Sequence, residues 1–490
     1  MRKKVLVIGA GFGGLSASAI LGKEGFDVTV FEKNAMPGGR AMQIKEKGYT
    51  FDMGPSWYLM PEAFERFFAE FSKKPSDYYS LKKLSPSYRV YFGSNRAFDV
   101  SDNIADVYKL FDSFEDSGGK KLKQFLQIAG KRYEKALEKF LYRDYQSIKD
   151  ILDIELLKEV FTAGLFNSLD SHVKYYFSSE EAQKILLFTI VFLDISPKRA
   201  PSLYSMLAYA DLEKKVWYPK GGIYSVVKAF EKIAKEHNVT FFYNKNVSKI
   251  ITKNGKATGV VVDGKTINAD VVVSNADYAF TELKLLDKKS RTLDSRYWSK
   301  KTIAQSAFCI YLGVNKKIKN LKHHTLFVGS NWDTNFSEIF DNPIWPTDPS
   351  YYICTPSKTD PSVAPRSSEN IFILVPIAPG LSDTPKIRKK YSEKIINHLE
   401  KLLNQDIANS IEYKKIITLK DYKSLYNAYE GTAFGLAHTL FQTALFRPYV
   451  KSKKLTNLYY TGAYTHPGVG MPTSIISGQL AARKIIKDAK

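Results

Sequence analysis

The stretch Lys4–Arg40, KVLVIGAGFGGLSASAILGKEGFDVTVFEKNAMPGGR, decides the fold. Val5, Leu6, Val7 and Ile8 form an apolar run suited to a strand buried on both faces. Gly9, Gly11 and Gly14 then fill the G-x-G-x-x-G pattern of a dinucleotide-binding turn. The first glycine permits the tight turn, the second admits a pyrophosphate close to backbone, and the third lets the helix pack on its strand. That helix is predicted from about Gly13 to Lys23, with its free N–H groups and positive dipole end aimed at the phosphates. Asp27–Phe31 is the second predicted strand, and Glu32, with Lys33 beside it, stands at its end. A carboxylate there accepts ribose hydroxyls and repels a 2′-phosphate. An adenine dinucleotide is the expected ligand.

Gly38, Gly39 and Arg40 narrow the choice. They return a second glycine pair and a guanidinium to the same phosphates, and a planar, bidentate Arg suits a phosphate better than Lys. A nicotinamide site has no need of this extra clasp. The E-x5-GGR arrangement resembles the FAD-binding two-dinucleotide motif of the amine oxidase and carotenoid desaturase group.

The 490 residues suffice for two or three domains with real cores. Two cysteines, Cys309 and Cys354, cannot supply a metal quartet, so no metal is expected and both read as buried free thiols of a reducing compartment. No secretory signal precedes the first strand, which places the glycine turn at the expected mature N-terminus. The longest apolar run, Ile185–Leu193, is far shorter than a bilayer span. The net charge of +22 is spread over Lys pairs such as Lys73-Lys74, Lys120-Lys121 and Lys316-Lys317. Without a nucleic-acid module, that pattern suits an anionic membrane surface, or simple solubility, better than nucleic acid.

Downstream, Gly54, Pro55 and Ser56 form a turn, with Ser56 predicted to cap a helix starting near Pro61. Residues 87–100 predict a hairpin. Residues from 103 to about 211 predict a helical cap rich in aromatics, Phe161, Phe166, Tyr175, Tyr176, Phe177, Phe188 and Phe192 among them; most read as core and the rest as tunnel lining. From Val247, two hairpin turns at Asn254-Gly255 and Asp263-Gly264 divide the β-rich text into a three-stranded meander, which ends in a buried strand and Asn275. Residues 300–440 predict strands of an antiparallel floor. The closing segment predicts a strand ending at Gly462-Ala463. Gly470 and Met471 then open a helix whose N–H groups suit the negative charge of a reduced flavin.

These segments together resemble the bacterial-type phytoene desaturases, the FAD-dependent carotenoid desaturases, along essentially the whole chain. The likeness rests on GAGFGGLSASAIL with EKNAMPGGR, FDMGPSWY, VWYPKGG, VVSNAD, His323-His324-Thr325, LFRP at 445–448 and LYYTGAYTHPGVGMPTSIISG. The implied fold is α/β. It comprises a two-dinucleotide-binding, Rossmann-like FAD domain (1–90, 215–285 and 441–490) with a parallel sheet and a three-stranded antiparallel crossover. An inserted α+β substrate domain with a helical cap (91–214 and 286–440) completes it. In that fold Gly54–Ser56 lies against the flavin and Val247 holds the adenine edge. The resemblance further implies a long apolar carotenoid substrate, quinone or oxygen as electron acceptor, and peripheral attachment to the inner face of the cell membrane from the cytoplasm. Lys149-Asp150 looks like the family's basic-acidic-basic site, although Lys149 replaces an Arg and Asp153 stands where a second Arg is usual.

Removing hydride from an allylic carbon to flavin N5 leaves a delocalised cation, so a weak base suffices for the adjacent proton. Asp150, His323 and His324 are the candidate acid–base groups. A later-acting carotenoid desaturase, on a hydroxylated or monocyclic carotenoid, and a flavin-dependent carotenoid isomerase share every motif quoted. An amine oxidase fits the cap less well. An isoprenoid-binding chaperone is the non-enzymatic alternative.

Overall fold

The computed structural model describes residues 2–93, 96–143, 167–193, 195–443 and 446–490. In chain order the main elements begin with β1 (Lys4–Ile8), α1 (Phe12–Lys23), β2 (Asp27–Phe31), β3 (Gln43–Glu46), β4 (Tyr49–Asp52), α2 (Pro61–Ala69), β5 (Leu81–Lys83), β6 (Tyr88–Phe92) and β7 (Arg96–Val100). The cap contributes α3 (Ile104–Asp112), α4 (Gly118–Lys135), α5 (Leu169–Tyr176), α6 (Glu180–Leu187) and α7 (Met206–Leu212). Next come β8 (Trp217–Pro219), α8 (Tyr224–Glu236), β9 (Thr240–Phe242), β10 (Val247–Lys253), β11 (Lys256–Val262), β12 (Lys265–Asn268) and β13 (Val271–Ser274). The last part holds β14 (Ser306–Val314), β15 (His324–Val328), α9 (Trp332–Phe340), β16 (Tyr351–Cys354), β17 (Glu369–Ile377), α10 (Pro385–Leu403), β18 (Ile411–Ile417), α11 (Leu419–Tyr426), β19 (Leu458–Tyr460) and α12 (Met471–Ala489).

Two sheets organise these elements. The first is parallel, in the order β19-β13-β1-β2-β9. Its central strand is buried on both faces because alternate side chains serve two cores. Val5 and Val7 pack with Leu15 of α1, Phe230 of α8 and Ile475 of α12. Leu6 and Ile8 pack with Val247, Ile250 and Val260 of the meander β10-β11-β12, which covers the opposite face. The glycine turn follows β1: Gly9 has φ +95°, and a Cβ on Gly14 would sit 2.2 Å from the Gly9 carbonyl oxygen. No residue with a side chain fits at Gly14.

The second sheet runs β18-β14-β17-β16-β15-β6-β7. It is mixed and not purely antiparallel as the sequence suggests, because β15 pairs with β6 in parallel. A pairing between strands more than two hundred residues apart carries no local signature. The predicted boundary at residue 90 falls inside β6, which belongs to this sheet along its length. Phe308, Ile310 and Leu312 of β14 face α10, whereas Ala307, Cys309 and Tyr311 face the cap. Of the cap aromatics, Phe177 and Phe188 are core and Tyr175 is 82% exposed. Phe161 and Phe166, like Lys149, Asp150 and Asp153, lie outside the described residues, as does the side chain of Phe192.

Ser56 does not cap α2. The N-cap is Met60, with φ +55° and no side-chain cap. A bridge between Tyr58 and Trp217 holds the intervening chain extended, and Ser56 is spent instead on a 2.7 Å hydrogen bond with the Tyr352 hydroxyl.

Below the parallel sheet, Phe230 is fully buried, stacks on Phe67 at 4.0 Å and meets Phe12 edge-on at 5.4 Å. Phe230→Ala removes the ring that ties α1, α2 and α8 together. It is expected to cost about 3–5 kcal/mol, read as a lowered thermal midpoint of the flavin-loaded protein.

Candidate functional site: a dinucleotide cleft opening into an apolar cavity

One cavity of about 620 Å³ joins the two sheets. Its first wall is the parallel-sheet end of the chain. Gly9, Gly11 and Gly13 line it, as do Glu32, Lys33, Gly39 and Arg40. Gly14 does not; its place is the close packing of α1 described above. Val247 and Asn275 close the same end, and Gly54, Pro55 and Ser56 form a facing edge. Gly462 and Ala463, in the loop after β19, and Gly470 and Met471, at the start of α12, also line the cavity. Pro472 sits at the start of that helix, so the first turn offers the Met471 and Thr473 amides, which have no carbonyl earlier in the helix to bond.

The electrostatics of this end favour an anion beside a diol. The Nε and Nη2 atoms of Arg40 are buried without a hydrogen-bond partner among the described residues, and its guanidinium lies 5.8 Å from the Tyr426 ring centre. A buried donor left unmade costs about 1–3 kcal/mol, more when charged, so these atoms call for a phosphate. Glu32, 4% exposed, accepts from the Ala10 N–H at 2.8 Å and from the Asn34 backbone at 2.9 Å. Oε1 also accepts from the Asn34 side-chain amide at 2.9 Å, so Oε2 is the oxygen that keeps acceptor capacity for a hydroxyl. The Lys33 ammonium turns aside, donating to the Ser424 carbonyl at 2.6 Å and to Asn427 at 3.1 Å, and burial lowers its pKa. Burial raises the pKa of Asp277, a raise opposed by a 2.7 Å hydrogen bond from the Tyr464 hydroxyl and by the Arg40 charge.

Beyond the dinucleotide end the wall turns apolar: Phe188, Leu203, Leu207, Leu326, Trp332 and Leu374 converge from the cap and the mixed sheet. The exposed rings of Phe441 and Phe446, 71% and 49% accessible and 5.9 Å apart, flank Thr443, which lines the cavity.

The structure does not bring His323 and His324 to this wall. Both are buried, neither lines the cavity, and desolvation lowers the pKa of His323 to about 3 and that of His324 well below its usual range. As candidate acid–base groups they stand behind the cavity wall and not on it. Tyr352 does line the cavity, and its hydroxyl meets His324 Nδ1 at 2.6 Å. Asp150 lies outside the described residues.

Sequence reasoning also missed three wall-building groups. Trp57 lines the cavity and stacks on His324 at 4.4 Å, nearly parallel. Tyr352 carries no motif, since only the pairing of β15 with β16 brings it there. Arg447, 3% exposed, donates to the carbonyls of Leu436, Gln442, Ala463 and Tyr464. It welds the Gly462–Tyr464 loop to the segment before it, and its LFRP context was the available signal.

The flavin containing amine oxidoreductase family matches residues 12–486, and the chain belongs to that family. It is 43% identical over 485 residues to the carotenoid 3,4-desaturase of Haloarcula japonica, covering 99% of this chain and 98% of that protein. It is 32% identical over 491 residues to the zeta-carotene-forming phytoene desaturase of Myxococcus xanthus, covering 99% and 94%. Within the flavin family the protein is thus a member of the carotenoid desaturase group, an FAD-dependent oxidoreductase acting on CH–CH groups. The cyclohexylamine oxidase of Brevibacterium oxydans shares the fold, with a TM-score of 0.60 at 13% identity and full coverage of both chains.

Arg40→Ala is expected to weaken FAD binding at least about tenfold, given roughly 1.5–3 kcal/mol for each hydrogen bond to a charged group. Arg40→Lys recovers part of the loss at most, because an ammonium lacks the planar fork. Flavin content per chain after gel filtration, together with FAD titration of the apoprotein, measures both.

Proposed function

We propose that the protein is a carotenoid desaturase that introduces C=C bonds into a long polyene. The observation that carries this reading is the continuity of one cavity, dinucleotide-type at one end and walled by aliphatic and aromatic side chains at the other. Such a wall suits a hydrocarbon and offers little to an amine or a sugar.

Bound FAD supplies a two-electron acceptor for hydride from an allylic carbon. The chain's own part begins with holding it. Gly9, Gly11, Gly13 and the first turn of α1 take the pyrophosphate, with Arg40 as counter-charge. Glu32 takes the ribose hydroxyls, Val247 and Asn275 border the adenosine end, and Gly54–Ser56 bear on the ring. Gly462, Ala463 and Gly470 would border the flavin with backbone, and the Met471 and Thr473 amides at the start of α12 would face its developing negative charge, the Gly462 N–H being already given to the Ser477 hydroxyl. Phe188, Leu203, Leu207 and Leu326 keep water out and hold the polyene in line, a gain in orientation more than in bonding. For this reading residues 1–90, 215–285 and 441–490 form the flavin part, with β6 given to the substrate part.

Asp150 is kept as the proton acceptor on the family likeness. Asp150→Asn is expected to lower turnover by about 10²–10⁴-fold with flavin content unchanged. Normal product formation by a yellow Asp150→Asn protein removes it from the reaction.

Which polyene is the finer question. A phytoene-type substrate is one reading. The higher identity to a 3,4-desaturase than to phytoene desaturases favours the second, a later-acting enzyme on a coloured, already conjugated carotenoid. Incubation of the flavin-loaded protein with phytoene, or with a coloured carotene, in liposomes separates them by product chromatography. Conversion of neither overturns the proposal.

Among the described residues no helix is long and apolar enough to cross a membrane. Attachment to a membrane face fits the +22 charge and the exposed Phe441–Phe446 pair beside the cavity wall. The double variant Phe441→Ser, Phe446→Ser is expected to float several-fold less with anionic liposomes at moderate salt while keeping its flavin. Unchanged flotation places the contact elsewhere.

A further inference from the structure

A cluster behind the cavity wall is unused by the proposed reaction. His324 opens β15 and Cys354 ends β16, and the two are directly paired in the antiparallel register. Residues so paired put their side chains on the same face of the sheet. His323 precedes the strand, and its ring centre lies 4.5 Å from that of His324 at 73°. One nitrogen from each imidazole and the Cys354 Sγ all lie within 4.8 Å of one another. All three residues are buried, at 5%, 0% and 2% exposure.

The hydrogen bonding of the cluster is incomplete in a particular way. His323 Nδ1 is 2.8 Å from Thr359 Oγ1, and His324 Nδ1 is 2.6 Å from the Tyr352 hydroxyl. The Nε2 atoms of both rings are buried with no hydrogen-bond partner among the described residues. With each Nδ1–H donating to its hydroxyl, each Nε2 keeps a lone pair that no donor among the described residues meets at hydrogen-bond distance. Two such orphans side by side are costly, and native interiors rarely keep them without a reason.

We propose that His323, His324 and Cys354 bind one borderline-to-soft transition ion, of the Zn(II) or Cu(I) type. Two imidazoles and a thiol suit such an ion, whereas Mg²⁺ and Ca²⁺ demand the oxygen donors this cluster lacks. Binding forms a metal–sulfur bond and releases the thiol proton to solvent. Thr359 and Tyr352 hold the rings by their other nitrogens, the outer-shell arrangement that orients metal-bound histidines. The ion is a brace. It ties the start of β15 to the end of β16, directly behind Trp57 and Tyr352, which line the cavity.

The test uses full-length, flavin-loaded protein without an affinity tag, expressed in medium supplemented with zinc or with copper. Elemental analysis is expected to give close to one ion per chain, and which supplement fills the site identifies the ion. X-ray absorption of the wild-type protein is expected to show two imidazole nitrogens and one sulfur. Cys354→Ser and His324→Asn are expected to lower metal content about tenfold or more at unchanged flavin content. Substoichiometric metal from both media, an absorption spectrum without sulfur, or full metal retention by Cys354→Ser each overturns the proposal. Should a variant fail to fold, the wild-type ion count and spectrum still decide.

Discussion

The guanidinium of Arg40 is a charge brought into the protein ahead of its partner. Two of its nitrogens are buried with no hydrogen-bond partner among the described residues, at a cost in free energy that a dianionic pyrophosphate would offset. The surrounding chain is shaped to keep it so. Gly38 and Gly39 adopt φ of +115° and +55°, which turn the backbone back on the first glycine loop. A Cβ on Gly39 would meet Gly11 at 3.4 Å, an ordinary contact, so the positive φ and not space is what selects glycine there. Ligand binding and folding are therefore linked: whatever neutralises Arg40 also fastens the two glycine segments to each other.

The first forty residues are legible because each constraint in them is local. A β-branched run, three spaced glycines and an acid at the end of the next strand all lie within one supersecondary unit, and sequence order is spatial order. The C-terminal strand, loop and helix are legible for the same reason. The resemblance supplied the assembly of these two ends into one cleft, which periodicity alone does not give. Where contacts join distant segments the text is silent. The parallel β15–β6 pairing, the diversion of Ser56 to Tyr352 and the arrival of Tyr352 at the cavity all depend on register across the mixed sheet. A serine ahead of a proline-started helix is a sound cap prediction, but the Tyr58–Trp217 bridge sets the chain direction first.

The histidine pair shows what sequence leaves out about a candidate acid–base group: where its ring sits relative to the cavity wall. Polar residues in an apolar strand stand out in sequence, and a reacting carbon needs a base. Yet a base has to touch its substrate, and these rings sit one layer behind Trp57 and Tyr352. The same burial that keeps them out of reach lowers the pKa of both rings. A group so placed acts on the cavity through the residues it supports.

That layering bears on how a hydrocarbon is oxidised with so little visible acid–base equipment. Leaving electrons need a rigid alignment between donor carbon and acceptor ring, and rigidity comes from the second layer. Arg447 pins the Gly462–Tyr464 loop through four carbonyls. His324 backs Trp57 and Tyr352, and Ser56 closes the chain of contacts to the loop beside them. In the proposed reaction the apolar walls would hold the polyene and the glycine backbones the acceptor, leaving the polar groups of the cavity to fix positions. Selectivity among carotenoids would then rest on the apolar wall that the cap and the inner face of the mixed sheet provide.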